Sequence, residues 1–560
     1  MNEQSKPGIK PGALPVDDME AVVARARSLL ASGIPPERVS ADLLDLLRPY
    51  PLPRHHSAAL AFGAAQMYAF SADILAAALS RWPHDLELRY RLGNALRMSG
   101  QVVQAEEMLR GVLKRRPRHA EAALSLAYML RDAGRPNAAG AVIAELDASQ
   151  KPEAKVSAGY LEFLHECRQY RRARELSRKA LARAPQDPAL QLLAGRTAHV
   201  LGQFDLARDH FLKAMDGGLD VDAWGSVVVL LASAQRYDSP QHPDFARFEK
   251  MLGNPRLSPD AHAAAGFALG KAYDDLSMFE KAAQVLREAN ARTAAVHAWS
   301  AAGWKAFVDD QIRAGYPLAP RARAPGEPVP VFVVGLPRSG TTLAAELLGR
   351  HPQLSNRGEL NWMQFIAQQL QLGRWSGNAQ TLQTAAGLYL RQLQLDDAPT
   401  PWYIDKNPLN FRYLGLIAAM FPQARVIHCV RNTRDTALSI WSQFFAHEDN
   451  NYAYSLEGIA AFAEGYERLM RHWQQRLSTP IFTLSYESMT AAPGAVLEQL
   501  SAFLGLPQLD LLGASPKIDA PIATASVWQA RQPIYRTSTE RWRGYAPYLP
   551  QLTELFPQAG

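Results

Sequence analysis

Residues 328–343 read Pro-Val-Pro-Val-Phe-Val-Val-Gly-Leu-Pro-Arg-Ser-Gly-Thr-Thr-Leu, a group of side chains suited to holding an oxyanion. Arg338, Ser339, Thr341 and Thr342 supply a guanidinium and three hydroxyls, and Gly335 and Gly340 leave backbone N–H groups open to approach. Such a loop needs a strand before it and a helix after it, so that free N–H groups and the positive end of the helix dipole face the ligand. Gly335 and Gly340 stand where the glycines of GxxxxGK[ST] would stand, but the lysine position is Thr341. A nucleoside triphosphatase uses that lysine on its β- and γ-phosphates. No apolar run ending in a magnesium-binding Asp follows either, because the next such run, RVIHCV, ends in Arg431. The loop is therefore expected to bind a phosphorylated ligand for something other than ATP hydrolysis.

The elements that must position these groups are legible as a change of pattern. Val331–Val334 is a continuous β-branched and aromatic run, the mark of a buried parallel strand. Arg425–Val430 and Ile481–Ser485 are further strands, with helices expected at 433–446 and 493–504. Strands alternating with helices predict an α/β domain with a parallel sheet, P-loop-like, over 331–560. Residues 316–330 hold five prolines and few large apolar side chains, and are expected to be an extended linker.

From 21 to 315 the pattern is helical and repeats every 34 residues. Ala105, Ala139, Ala173 and Ala207 coincide; Gly93, Ala127 and Gly195 share a small-residue position, with Leu161 the exception. Gly100, Gly134 and Gly202 share a turn position, where the remaining copy has Arg168. Pro83, Pro117 and Pro185 close repeats, with Pro152 one residue out of register, and Tyr170, Phe204 and Phe279 take an aromatic position. This period resembles the tetratricopeptide repeat, which implies an all-α solenoid with a groove for a peptide or protein partner. Four copies run from about 86 to 219, weaker ones lie near 55–85 and 263–296, and 222–258 reads as an insertion or a decayed repeat. The arginine-dense faces near 110–118 and 168–179 are either solvated surface or a groove for an acidic partner.

Composition sets the outer limits. The chain has 560 residues, 60 Lys+Arg against 54 Asp+Glu, and 48% hydrophobic residues. That is a globular protein of more than one domain, with no charge excess that calls for nucleic acid. Cys167 and Cys429 make no disulfide framework, and both are expected as core packing. Residues 1–20 read as a disordered lead without a signal core, and no run is long enough to span a membrane; a cytoplasmic protein is the expectation.

PRSGTTL directly after a strand resembles the 5′-phosphosulfate loop of sulfotransferases, which use 3′-phosphoadenosine-5′-phosphosulfate (PAPS). RVIHCVRNTRDTALSIWSQ resembles that family's 3′-phosphate motif, with Arg431 ending the strand and Ser439 eight residues on. The likeness covers about 328–550 and is greatest to the protein-tyrosine sulfotransferase branch and to bacterial proteins that join such a domain to tetratricopeptide repeats. It implies that Arg338, Ser339, Gly340, Thr341 and Thr342 hold the 5′-phosphosulfate and that Arg431 and Ser439 hold the 3′-phosphate. Tyr486, in SYES, would lie beside adenine, while Ser526 and Arg541 match a Ser and a Lys of the tyrosine branch. Glu359 matches that branch's catalytic glutamate and Lys406 its KDP lysine, so Glu359 is expected as general base, with Lys406 and Arg338 stabilising the leaving oxygen. His351 is the rival base. Arg357 would tune Glu359 or meet an anionic acceptor, or simply be exposed. Asp405 would position Lys406 or begin a turn. No metal is required by this scheme. The acceptor would be a hydroxyl of a peptide tyrosine, a glycan or a small molecule, with a protein partner in the repeat groove; the alternative is an inactive scaffold that senses the nucleotide.

Overall fold

The computed structural model describes residues 18–150, 153–314, 320–371, 378–445, 448–513, 521–522, 524, 527–532, 534 and 539–557. The chain divides into two compact units, Met1–Pro152 and Glu153–Gly560. The division falls inside the repeat array, not at 316–330. It does so because helices after 153 share one apolar core with the second half: Phe267, Leu286, Trp304 and Val308 lie in the same cluster as Phe332, Tyr389, Leu438 and Phe462.

The 34-residue period is reproduced in the helices. Leu86–Met98, Ala120–Asp132, Ala154–Glu166 and Pro188–Val200 each open a repeat, and Val102–Arg115, Pro136–Gln150, Tyr170–Arg183 and Phe204–Asp216 close it. The coincident alanines are fully buried. The small-residue position has a steric cause: a Cβ on Gly195 would lie 2.5 Å from the Phe211 ring. Residues 222–258 hold two helices, Trp224–Ser233 and Pro243–Leu252, which both pack against helix Pro259–Asp275. Asp244 there is buried beneath Arg208 (2.8 Å), Arg247 (3.0 Å) and the Tyr237 hydroxyl (2.8 Å).

The α/β part is a five-stranded parallel sheet: β1 (Val329–Gly335), β2 (Leu354–Asn356), β3 (Trp402–Asp405), β4 (Arg425–Val430) and β5 (Ile481–Ser485), in the order β2-β3-β1-β4-β5. Alternation along β1 sends Val331 and Val333 to one face, against helices Thr341–Leu348 and Pro493–Leu504. Phe332 and Val334 go to the other, against Ala379–Gln394 and Leu456–Arg476. The order turns back at β1: β2 and β3 lie to one side and β4 and β5 to the other, which opens a crevice at the strands' carboxyl ends. β2 and β3 were not expected from sequence, and the helix after β4 ends at Trp441 rather than 446.

The described part of the linker also differs from expectation. Arg321 is buried, its Nε donating to Met420 O and its fork to Glu327 (2.6 Å), with the guanidinium over Phe421. One arginine thereby docks the proline-rich segment on the sheet domain. No helix among the described residues is long and apolar enough to cross a membrane.

Candidate active site

Gly335 ends β1 opposite Cys429 of β4. A Cβ on Gly335 would strike the Cys429 carbonyl oxygen, so only glycine lets the chain turn there. The loop closes with Arg338 at φ +70° and Gly340 at φ +95°, and the helix begins at Thr341 with no side chain capping it. Its first N–H groups are thus open to an anion. Ser339 is 2% exposed and its Oγ has no hydrogen-bond partner among the described residues. A buried hydroxyl of this kind, at an uncapped helix start, fits a phosphate or sulfate oxygen.

Three other residues close on this loop. Arg338 Nε donates to Ser439 Oγ (3.0 Å), and Arg431 Nη1 donates to Arg338 O (3.1 Å). The Arg431 guanidinium lies 4.6 Å from the centre of the Tyr486 ring. That ring in turn sits over Gly340, where a Cβ would approach it to 2.6 Å. Arg338, Ser339, Gly340, Thr341, Thr342, Arg431, Ser439 and Tyr486 are thus brought together from three strand ends. A cavity of about 290 Å³ adjoins them, lined by Leu336, Ser339, His428, Arg431, Thr436 and Tyr466. Glu487, which sequence reasoning passed over, accepts the Asn432 N–H (2.9 Å) and so ties the turn after β4 to that after β5. Its signal was the acidic residue beside Tyr486.

Beyond β3, on the same edge of the sheet, Lys406 Nζ donates to Glu359 Oε1. The Lys406 side chain is 2% exposed and that of Glu359 41% exposed, so the pair joins a buried cation to a reachable carboxylate. Asp405 neither contacts the Lys406 ammonium nor merely starts a turn. It is fully buried and accepts from Leu360 N–H (3.3 Å), Asn410 Nδ2 (2.9 Å) and the Tyr389 hydroxyl (2.5 Å). Burial pushes its carboxyl up to about 6, against the pull of these donors and of the Arg168 charge.

Arg357 departs from both active roles and from simple exposure. Its fork takes Leu393 O, Gln394 O and Asp397, and it stacks over Tyr403, so it braces the turn at 393–397. His351 is buried, with Nδ1 accepting the Gln353 N–H (3.2 Å), a turn-closing use. Burial pushes the His428 imidazole down to about 4, and it bonds the Tyr466 hydroxyl within the core. Arg541 is not turned to the loop. Its Nε and Nη2 fork onto Asp274 (3.0 and 2.7 Å), and its segment is pinned by Asp435, which accepts Glu540 N–H and Trp542 N–H. Ser526 lies outside the described residues.

Residues 330–510 match the model of the sulfotransferase family, and residues 64–117 that of the tetratricopeptide repeat. An uncharacterized protein of Aquifex aeolicus is 33% identical over 329 residues, 55% of this chain and 43% of that one. Protein-tyrosine sulfotransferase 1 of Danio rerio is 22% identical over 247 residues, covering 39% of this chain and 66% of its own. Among solved structures, the sulfotransferase domain from the curacin biosynthetic pathway aligns at 16% identity and a TM-score of 0.26, over 41% of this chain and 99% of that domain. The chain spans less than two thirds of the length of each of these two sequence relatives. Its C-terminal parallel-sheet domain is sulfotransferase-like, and the helical region before it resembles tetratricopeptide-repeat proteins.

Proposed function

We propose that the chain is a PAPS-dependent sulfotransferase acting on a hydroxyl acceptor, with the chemistry in 331–560 and the repeats of 21–315 recruiting the acceptor or a partner. The observation that carries this reading is the convergence of Arg338, Arg431, Ser439 and Tyr486 on an uncapped helix start whose loop has no lysine. Two guanidiniums converging on one loop match a ligand with phosphate at two places, the feature that sets PAPS apart from simpler adenylates. Bound there, the nucleotide would supply an activated sulfuryl group. Arg338, Ser339, Gly340, Thr341 and Thr342 would hold its 5′ end, Arg431 and Ser439 its 3′-phosphate, and the Tyr486 ring would pack beside the base.

The rest of the work falls to the Lys406–Glu359 pair. A carboxylate that is half-exposed can reach an acceptor hydroxyl and take its proton. A buried lysine next to it offers N–H donors where negative charge develops, in a place with little water to weaken them. The acceptor is a peptide tyrosine, a glycan or a small molecule. Likeness to the protein-tyrosine branch favours the first.

The test is transfer of radiolabelled sulfate from PAPS to host lysate by the purified full chain, with the labelled species identified by mass. Transfer to a discrete acceptor is expected. Tight binding of 3′-phosphoadenosine-5′-phosphate with no transfer to any pool would replace the proposal with a nucleotide-sensing scaffold.

A further inference from the structure

The turn position shared by the repeats holds Gly100, Gly134 and Gly202 at φ +83°, +75° and +77°. The same position in the repeat between them is Arg168, at φ +55°. A left-handed turn of this kind favours glycine, because an L side chain there crowds the backbone. Gln66 and Ser277 hold the same turn position at φ +61° and +58°, so a side chain is tolerated there, and what sets Arg168 apart is the contact it makes. Arg168 Nη1 donates to Arg357 O and Nη2 to Glu359 O, a fork that spans both sides of Gly358. Gly358 itself is at φ +65°, and a Cβ there would stand 3.1 Å from Arg168 Nη1, so glycine admits the close approach.

Several other backbone groups of this loop are engaged within the α/β part. Arg357 N–H donates to Ile404 O (2.9 Å), Gly358 O accepts Lys406 N–H (2.8 Å), and Gly358 N–H donates to Asn356 Oδ1 (3.0 Å). Leu360 N–H goes to Asp405 and Leu360 O accepts Asn407 Nδ2 (3.0 Å). The carbonyls of residues 357 and 359 are the ones Arg168 takes. The fork therefore adds to the support of the peptide that carries the Glu359 side chain. The next repeat turn is engaged as well: Arg531 packs on Gly202 and donates to Val200 O (2.9 Å). Farther along, Arg541 forks onto Asp274 at the end of helix Pro259–Asp275.

We propose that Arg168 is a positioning residue: a repeat turn reaches into the α/β part and fixes the backbone of Glu359 for catalysis, so that this stretch of the array is part of the active-site framework. This rests on the assignment of Glu359 as general base.

Two variants of the full chain test it. Arg168→Gly restores the residue of the sister repeats and relieves the turn, so the unfolding midpoint should hold or rise while the fork is lost. Amide exchange at 357–361 should quicken, kcat should fall by about ten- to a hundredfold, as small misplacements of a reacting group do, and affinity for 3′-phosphoadenosine-5′-phosphate should be unchanged. Arg168→Lys offers one ammonium in place of a two-pronged fork and should recover only part of kcat. Unchanged exchange at 357–361, kcat within about twofold of the parent, or nucleotide affinity falling in step with kcat would each overturn the proposal. A parent protein that transfers no sulfate would instead sink the sulfotransferase reading, and the exchange measurement would still decide whether the clamp exists.

Discussion

Lys406 and Glu359, 47 residues apart in the chain, form an ion pair in which the lysine is buried and the glutamate reaches solvent. The arrangement couples the two groups assigned to the acceptor proton and the leaving oxygen. It also means that removing the Glu359 carboxylate leaves the buried Lys406 without its partner, whereas Glu359 can fall back on water.

Glu359→Gln keeps an acceptor for the Lys406 ammonium and removes only the base. It should lower kcat by about 10²- to 10⁴-fold with nucleotide affinity nearly intact. Steady-state kinetics alongside calorimetric binding of 3′-phosphoadenosine-5′-phosphate separates the two. Near-normal kcat would show the base to be elsewhere.

Arg431 lies over Tyr486 and donates to the loop at Arg338 O. Arg431→Ala should cost about 2–4 kcal/mol of nucleotide binding, in the range for a charge-assisted phosphate contact left unmade. The loss should be specific: the parent should prefer 3′-phosphoadenosine-5′-phosphate to 5′-AMP, and the variant should bind the two alike. A preference that survives in the variant would place the 3′-phosphate away from Arg431.

Gly340→Ala inserts a methyl 2.6 Å from the Tyr486 ring at a backbone φ of +95°. The expected outcome is a loss of about 1–3 kcal/mol in stability, from strain at the loop, together with loss of nucleotide binding. Thermal unfolding with and without nucleotide reads both. A variant that bound normally would mean that the Tyr486 ring can swing away from the loop at little cost.

Asp405 gives a pH signature. Its folded value of about 6 lies above the ordinary 3.8, so the folded state holds the proton more tightly than the unfolded chain. The stabilisation is complete below about pH 3.8 and is lost as pH rises through about 6, a change on the order of 3 kcal/mol. Denaturant unfolding of the parent relative to Asp405→Asn should show this decline between pH 4 and about 6.5. A flat difference across that window would mean that Asp405 is already ionised at low pH in the folded protein.

The parts of the fold visible in the sequence are those that short-range physics decides. β1, β4 and β5 are continuous runs of β-branched and apolar residues and were legible as such. β2 and β3 were not: Leu-Ser-Asn carries little β preference, and Trp-Tyr-Ile-Asp, though rich in β-formers, is only four residues long. They are extended because Leu354 and Trp402 sit opposite one another in the ladder. The repeat helices were legible from the 34-residue period. The way the later ones join the sheet domain was not, since a surface such as Trp304 on Phe462 is chosen by packing across 158 residues.

The site divides in the same way. The loop Gly335 to Thr342 and the residues Arg431, Ser439, Glu359 and Lys406 could be picked out because each lies in a contiguous motif. Their meeting is a consequence of the parallel sheet, which delivers the ends of β1, β3, β4 and β5 to one edge. Arg168 stood out in the sequence only as an exception to a glycine position, and Arg541 only as a substitute for a lysine. The tertiary structure gave the first a place at the Glu359 backbone and turned the second onto Asp274. The physical reason is that backbone carbonyls and carboxylates select their arginine by proximity in space, and proximity across 191 or 267 residues is settled by folding rather than by local sequence.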